Sequence, residues 1–330
     1  MDEKIDLVIT WVDGSDPKWL EEKNKYVSNF DSQNPSTGGA DRYEDNDLLQ
    51  YLFRGIEKFA PWVNKIHFVT WGHLPKWLNT NNSRINIVNH KDFIPEIYLP
   101  TFNSATINLN LHRIPGISDK FIYFNDDMFI LDYLKPTLFF KNSKPCDMFV
   151  NDIVDTSVYH DNYNYTVIND LCLLNKISKK KDFYKHNFSK VYSLKYGFKN
   201  LYKNFILRHY RLFTGIIEPH TPASYNKKNY EEIWEKFGKE LDLVCKDKVR
   251  THFSCTENLI RYYQMTSGNF VPINRNKFGT YTTSSSRNIE KIFTNKKYKL
   301  VCINYVKKEN IDKLRSLFNE ILPAKSTFEK

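Results

Sequence analysis

Two neighbouring carboxylates, Asp126 and Asp127, follow Asn125 directly after the apolar run Phe121–Phe124. A hard divalent cation takes oxygen ligands, and adjacent carboxylates at a strand end supply them; unshared, their charges repel. Asn-Asp is also ordinary turn chemistry, so a turn and a metal edge are both open on spacing alone. The same choice holds for Asp13-Gly14-Ser15-Asp16-Pro17, after the first apolar run. His220 stands between Pro219 and Pro222, whose rings restrict the backbone around it. Its imidazole could take a proton from a hydroxyl, or serve the loop structurally. Arg250 offers a guanidinium fork for a phosphate, or one side of a surface ion pair.

These residues need a frame. Apolar, β-branched runs at Ile5 to Trp11, Ile66 to Thr70, Ile85 to Val88 and Phe121 to Phe124 predict strands of a mostly parallel sheet with helices between them. The spacing of Leu48, Leu52, Ile56 and Phe59 predicts a helix from Asn46 to Ala60, stopped by Pro61. A second helix is expected from Ser104, as N-cap, to Arg113. In an open α/β sheet the ligand crevice lies beyond the carboxyl ends of the strands, where Asp13, Trp71-Gly72-His73 and Asn125-Asp126-Asp127 fall. The polar segment Gly38 to Asp47 leads into the first long helix and suits phosphate or ribose. Later helices are expected at Asn229 to Leu241, Thr256 to Met265 and Asn310 to Ile321, with a strand at Lys299 to Asn304; Thr280 to Arg287, rich in Thr and Ser, reads as a mobile loop.

The net charge of +10 is unevenly spread: residues 1–150 carry −4 and 151–330 carry +14. Between Lys176 and Arg211 there are 11 Lys/Arg against the single Asp182, interleaved with aromatics. Such a stretch attracts a polyanion or an anionic membrane, or is a solvated helical face. A nucleic-acid-binding protein would leave the acidic amino-terminal half unexplained, so no nucleic-acid partner is expected. The acidic start MDEKIDLVITWVDG lacks the basic entry of a secretory signal, which predicts a cytoplasmic protein. Five cysteines with no CxxC pair predict reduced, mostly buried thiols rather than a zinc site. Three parts are expected: an α/β core over 1–150, a helical basic and aromatic insertion over 151–215, and a remainder over 216–330.

The motifs resemble those of the Stealth proteins, sugar-1-phosphate transferases of bacterial capsule and cell-surface polysaccharide synthesis, related to the catalytic part of an animal GlcNAc-1-phosphotransferase. IDLVITWVDGSDPKW is similar to their first region. The block from Asp41, DRYEDNDLLQYLFRGIEKFAPWVNKIHFVTWGHLPKWLN, continuing to FIYFNDDMFI, is similar to the second, PHTPASYNK to the third, and RTHFSCTENLIRYYQ with KLVCINY to the fourth. The resemblance implies a Rossmann-like, glycosyltransferase-type nucleotide-sugar fold and Mg²⁺ or Mn²⁺. It implies transfer of a hexose-1-phosphate from a UDP-sugar to an oligosaccharide or lipid-linked acceptor with release of UMP; the Lys176 to Arg211 stretch is then expected to be the surface for a phosphate-bearing glycan or for the inner face of the membrane, to which the protein would be peripheral. It places Asp13 and Gly14 at the donor nucleotide, Arg42, Asp45 and Asn46 in the active centre, and Asn125, Asp126 and Asp127 on a metal-associated edge. His220 becomes the base and Arg250 a phosphate-stabilising group. An ordinary glycosyltransferase on the same fold would release UDP instead. One departure stands out: where the family commonly has Cys-Ile-Asn-Asp, this chain has Cys302-Ile303-Asn304-Tyr305.

Overall fold

The computed structural model describes residues 4–27, 46–155 and 162–330. Strands β1 (Ile5–Thr10), β2 (Ile66–Thr70), β3 (Ile85–Asn89) and β4 (Lys120–Asn125) are parallel and ordered β3-β2-β1-β4. A strand β8 (Ala223–Asn226) closes the sheet antiparallel to β4. This order, with helices packed on the sheet, is a Rossmann-like α/β arrangement, and the four expected strands are all in it. Because helices cover both faces, β1 reads as a nearly unbroken apolar run. Leu7 and Ile9 pack into one core cluster and Val8 into the other, as the two-residue period of a strand requires.

Between these strands lie α1 (Pro17–Asn24), α2 (Leu49–Phe59) and α3 (Ser104–Leu109). Helix α2 begins later than its apolar spacing suggested, since Asp47 has φ of 53° and Asn46 is thereby kept out of the helix. Leu52, Phe53 and Ile56 are fully buried, each contributing roughly 1.5–3 kcal/mol. Gly55 lets α2 approach strand β5 (Met128–Ile130), since a Cβ there would stand 2.9 Å from the Ile130 carbonyl oxygen. Arg54 of α2 forms a buried bidentate pair with Glu329, at 2.9 and 2.8 Å. Helix α3 is shorter than expected, and Asn103 rather than Ser104 caps it, accepting from the Ala105 amide at 3.1 Å. At its end the Asn110 side chain donates to the Thr106 carbonyl at 2.8 Å, and the chain passes into a 3-10 turn.

Three short strands, β6 (Phe140–Lys141), β7 (Lys144–Asp147) and β9 (Val271–Pro272), form a small sheet. Another contains β10 (Gly279–Thr283), β11 (Leu300–Asn304) and β5, in the order β10-β11-β5. Strand β10 corrects the loop expected at Thr280 to Arg287: Thr280, Tyr281, Thr282 and Thr283 pair in parallel with β11. β-branched and aromatic residues suit a pleated surface, a preference that the Ser/Thr composition masked. The segment after β7 carries α4 (Asn162–Ile177), α5 (Lys180–His186) and α6 (Phe198–Leu207). The later helices are α7 (Lys227–Lys246), α8 (Asn258–Thr266), α9 (Ile289–Thr294) and α10 (Ile311–Ile321). Among the described residues no helix is long and apolar enough to cross a membrane. All five cysteines are free, and only Cys172 is exposed.

Candidate functional site

Beyond the carboxyl end of β1 the chain turns sharply. Asp13 Oδ1 accepts from the Ser15 amide at 2.9 Å and its hydroxyl at 2.6 Å, and Asp16 caps α1 by accepting from Trp19 at 2.8 Å. The Asp13 amide donates to Nε2 of His73 at 2.7 Å. An accepting Nε2 requires the neutral imidazole, and burial does lower the His73 pKa, against the opposing charges of Asp16 and Asp13. Thus the loop after β2 holds the loop after β1, with Gly14 at the turn between Asp13 and Ser15.

At the end of β4, Asn125 pairs in register with Thr10 of β1, and Tyr123 bridges them, touching Thr10 Oγ1 at 3.1 Å and donating to Asn125 Oδ1 at 2.5 Å. The chain turns through Asp126, which is exposed, and Asp127, which is not, into β5. Strand β11 runs alongside, so the Cys302 thiol donates to Asp127 Oδ2 at 3.2 Å. Ligand atoms of Asp127, Cys302 and His220 all lie within 4.8 Å of one another. Burial raises the Asp127 pKa, opposed by the Cys302 hydrogen bond and the charge of His220. Burial and the adjacent Asp127 likewise push the Cys302 thiol far up. Asp127 Oδ1 is buried without a hydrogen-bond partner, a carboxylate oxygen that fits a hard cation. At the position where the resemblance led to an aspartate, Tyr305 is 71% exposed and has φ of 51°.

His220 is held by its loop. Its φ of 47° is left-handed, which costs a non-glycine residue about 1 kcal/mol. The restraint is a buried cluster: Asp147, at the end of β7, accepts from Arg261 of α8 at 2.7 and 2.8 Å and from Arg275 at 3.2 Å. Arg261 also donates to the Ile217 carbonyl at 3.2 Å, and Arg275 to the carbonyls of Thr221 and, at 2.6 Å, Pro222. The two guanidiniums therefore grip the loop on both sides of His220. Burial alone would raise the Asp147 carboxyl; Arg261 and Arg275 outweigh it and hold the pKa low. Gly279 fits the same packing, since a Cβ there would lie 2.6 Å from Thr221 Cγ2. Tyr281 of β10 meets the His220 ring edge-on, centroids 5.1 Å apart.

Arg250 donates to Ser104 Oγ at 2.6 Å, at the start of α3; burial raises the pKa of the half-buried Glu257, opposed by its hydrogen bonds and the charge of Arg250. Glu257 accepts from Asn108 of α3 at 3.0 Å. The structure thus unites Asp127 with His220, and Asn125 with Thr10 of the β1 edge. Arg250 belongs to a neighbouring network with Ser104 and Glu257. Asn46 precedes α2, while Arg42 and Asp45 lie outside the described residues. Sequence reading gave no role to Cys302, Tyr281, His73, Asp147, Arg261 or Arg275. For His73 the signal was its place after a strand; for the buried arginines no local pattern existed, because their partners are distant in sequence.

Residues 3–31 match Stealth protein conserved region 1, and residues 42–148 match Stealth protein conserved region 2. The chain is 37% identical over 335 residues to the capsular polysaccharide phosphotransferase WcwK of Streptococcus pneumoniae, covering 99% of this chain and 98% of that protein. It is 34% identical to the exopolysaccharide phosphotransferase cps2G of Lactiplantibacillus plantarum (99% and 96% covered) and 30% to the receptor polysaccharide phosphotransferase WefC of Streptococcus oralis (99% of each). Among solved structures, the galactosyltransferase LgtC in complex with donor and acceptor sugar analogs aligns at TM-score 0.39 and 12% identity, over 96% of each chain. Matching regions at the amino-terminal edge, together with relatives similar over nearly their whole length, establish that this chain belongs to the Stealth family.

Proposed function

We propose that this transferase moves a hexose-1-phosphate from a UDP-sugar to a hydroxyl of an oligosaccharide or lipid-linked polysaccharide acceptor. The acceptor oxygen attacks the phosphorus nearer the sugar, and the bond from that phosphorus to the bridging oxygen breaks. UMP leaves with the bridging oxygen, the anomeric bond stays intact, and the acceptor proton passes to His220. The observation that carries this reading is the pairing of a loop-clamped imidazole with the half-buried carboxylate of Asp127, whose Oδ1 is buried and lacks a hydrogen-bond partner.

In this reading Asp126 and Asp127 hold Mg²⁺ or Mn²⁺, whose chemistry is to neutralise the diphosphate. Asp13, Gly14, Asn46 and Asn125 line the donor, with His73 fixing the Asp13 turn. Arg250 stabilises phosphate charge, and Arg42 and Asp45 complete the centre. Most of the rate effect is then positioning and charge neutralisation. Residues 1–150 form the donor half, 216–330 supply the base, and 151–215 face the acceptor, at the inner surface of the cytoplasmic membrane.

The nucleotide product is the test. Incubation with a UDP-hexose, Mg²⁺ or Mn²⁺ and an acceptor glycan is expected to yield UMP. UDP as sole product would instead identify a glycosyltransferase that attacks the anomeric carbon.

A further inference from the structure

Helix α6 carries apolar side chains on both of its faces, with Leu201 and Leu207 packed inward. Its inward face carries the fully buried Asn204, which accepts from the Asn151 amide at 2.7 Å and donates to the carbonyls of Phe149 and Val191 at 3.1 and 2.8 Å. Its outward face carries Phe198 (84% exposed), Tyr202, Phe205 and Ile206, at steps of four, three and one. These positions form one stripe on a helix of 3.6 residues per turn. The apolar exposure continues through Leu194 (86% exposed) before the helix and Tyr210 and Leu212 after it. Isolated exposed apolar residues are ordinary, but a contiguous set of this size marks an interaction surface.

Cations accompany the stripe. Lys195, Lys199, Arg208 and Arg211 are exposed along the same segment, and the Arg208 guanidinium lies over the Phe205 ring at 4.1 Å. Across Lys176 to Arg211 the only acidic residue is Asp182. This charge decides among occupants. Two copies meeting through this face would oppose like charges, and a nucleic acid would leave Leu194 and Ile206 without a complement. An anionic bilayer answers both features: basic side chains meet its headgroups while aromatic and aliphatic side chains enter the interface. We infer that α6 and its flanks dock this protein flat on an anionic phospholipid membrane.

The placement relates this surface to the site. Asn204 and Tyr196 hold the stretch from Phe149 to Asn151, and Val150 accepts from the Ile217 amide at 2.9 Å, three residues before His220. Docking through α6 would set the His220 loop at a fixed height above the bilayer. Only this last step rests on the proposed lipid-linked acceptor; vesicle binding is measured without donor, acceptor or turnover.

The full chain is floated with vesicles of phosphatidylglycerol and phosphatidylcholine, and with vesicles of phosphatidylcholine alone. Binding is expected to the anionic vesicles only and to weaken as salt rises. The double variant Phe198→Ser, Ile206→Ser is expected to lose about tenfold or more in partitioning, and Lys195→Glu, Lys199→Glu to lose a similar factor. Both pairs are exposed, so an unchanged thermal melt serves as the folding control. Wild-type protein that stays unbound, or variants that partition as well as wild type, would overturn the inference. So would a dimer that the Phe198, Ile206 variant dissociates, or binding to soluble polyphosphate alone that ignores Phe198 and Ile206. Failure of UMP release with intact vesicle binding would count against the proposed reaction and not against the docking.

Discussion

The Cys302 thiol donates to Oδ2 of Asp127 at 3.2 Å, leaving Oδ1 of the same carboxylate buried and without a partner. One oxygen is thereby fixed and the other kept available. Asp127→Asn should lower kcat by at least about a hundredfold and abolish Mn²⁺ binding measured by calorimetry, with the melt little changed. Cys302→Ser keeps a donor and should stay within about threefold of wild type, whereas Cys302→Val, lacking one, should cost about tenfold. Full turnover in excess chelator would refute the cation's part.

The clamp on the His220 loop makes a different prediction. Arg275→Lys keeps a charge near Asp147 but loses the fork that reaches the Thr221 and Pro222 carbonyls. Turnover should fall about tenfold or more while donor KM hardly moves, because the donor edge is untouched. Asp147→Ala leaves two buried guanidiniums uncompensated, and a loss of about 3–5 kcal/mol should appear in denaturant titrations. Equal changes in kcat and donor KM for Arg275→Lys would argue against loop positioning.

On the donor side, His73→Ala removes the acceptor of the Asp13 amide and should raise UDP-sugar KM about tenfold. His73→Gln, whose carbonyl oxygen can accept, should recover part of it. Steady-state kinetics at saturating acceptor would separate the two; identical KM values in both variants would rule out this role.

A pH effect follows from Asp170, buried in α4 and accepting from the Thr256 amide at 2.9 Å and hydroxyl at 2.6 Å. Burial raises its pKa well above the ordinary value, with Glu257 and Glu218 adding in the same direction. For an acid whose folded pKa is raised, the stability contribution is present below the unfolded value of about 3.9 and is lost as pH rises through the folded one. Asp170→Asn keeps the hydrogen-bonding shape without the charge. Its Tm should exceed wild type near pH 8, by about 2–4 °C per kcal/mol, and the gap should close near pH 4. A gap that is constant across this range would exclude ionisation of Asp170 as its source.

The parallel sheet was legible because β1 and β4 are apolar on both faces, so their sequences are continuous runs bounded by polar turns. Asp13 and Asp127 were legible for the same reason: each sits where such a run stops. Strand β10 was hidden by its threonines, whose hydroxyls read as loop composition until β11 supplied a partner. Cys302 and Asp127 are 175 residues apart, and Arg261 and Asp147 are 114 apart, so no local spacing could pair them. The start of α2 depended on one left-handed residue, Asp47, which apolar periodicity does not register.

The pairing of Arg54 with Glu329 spans 275 residues and joins α2, beside the central sheet, to a segment made long after it. During translation the Arg54 guanidinium must wait in water while every intervening element emerges. The amino-terminal half can therefore not reach its final packing as it leaves the ribosome. Long-range closure of this kind slows folding and prolongs the exposure of unfinished apolar surface, so chaperone demand in the cell should depend on the segment around Glu329 as much as on the sheet it closes.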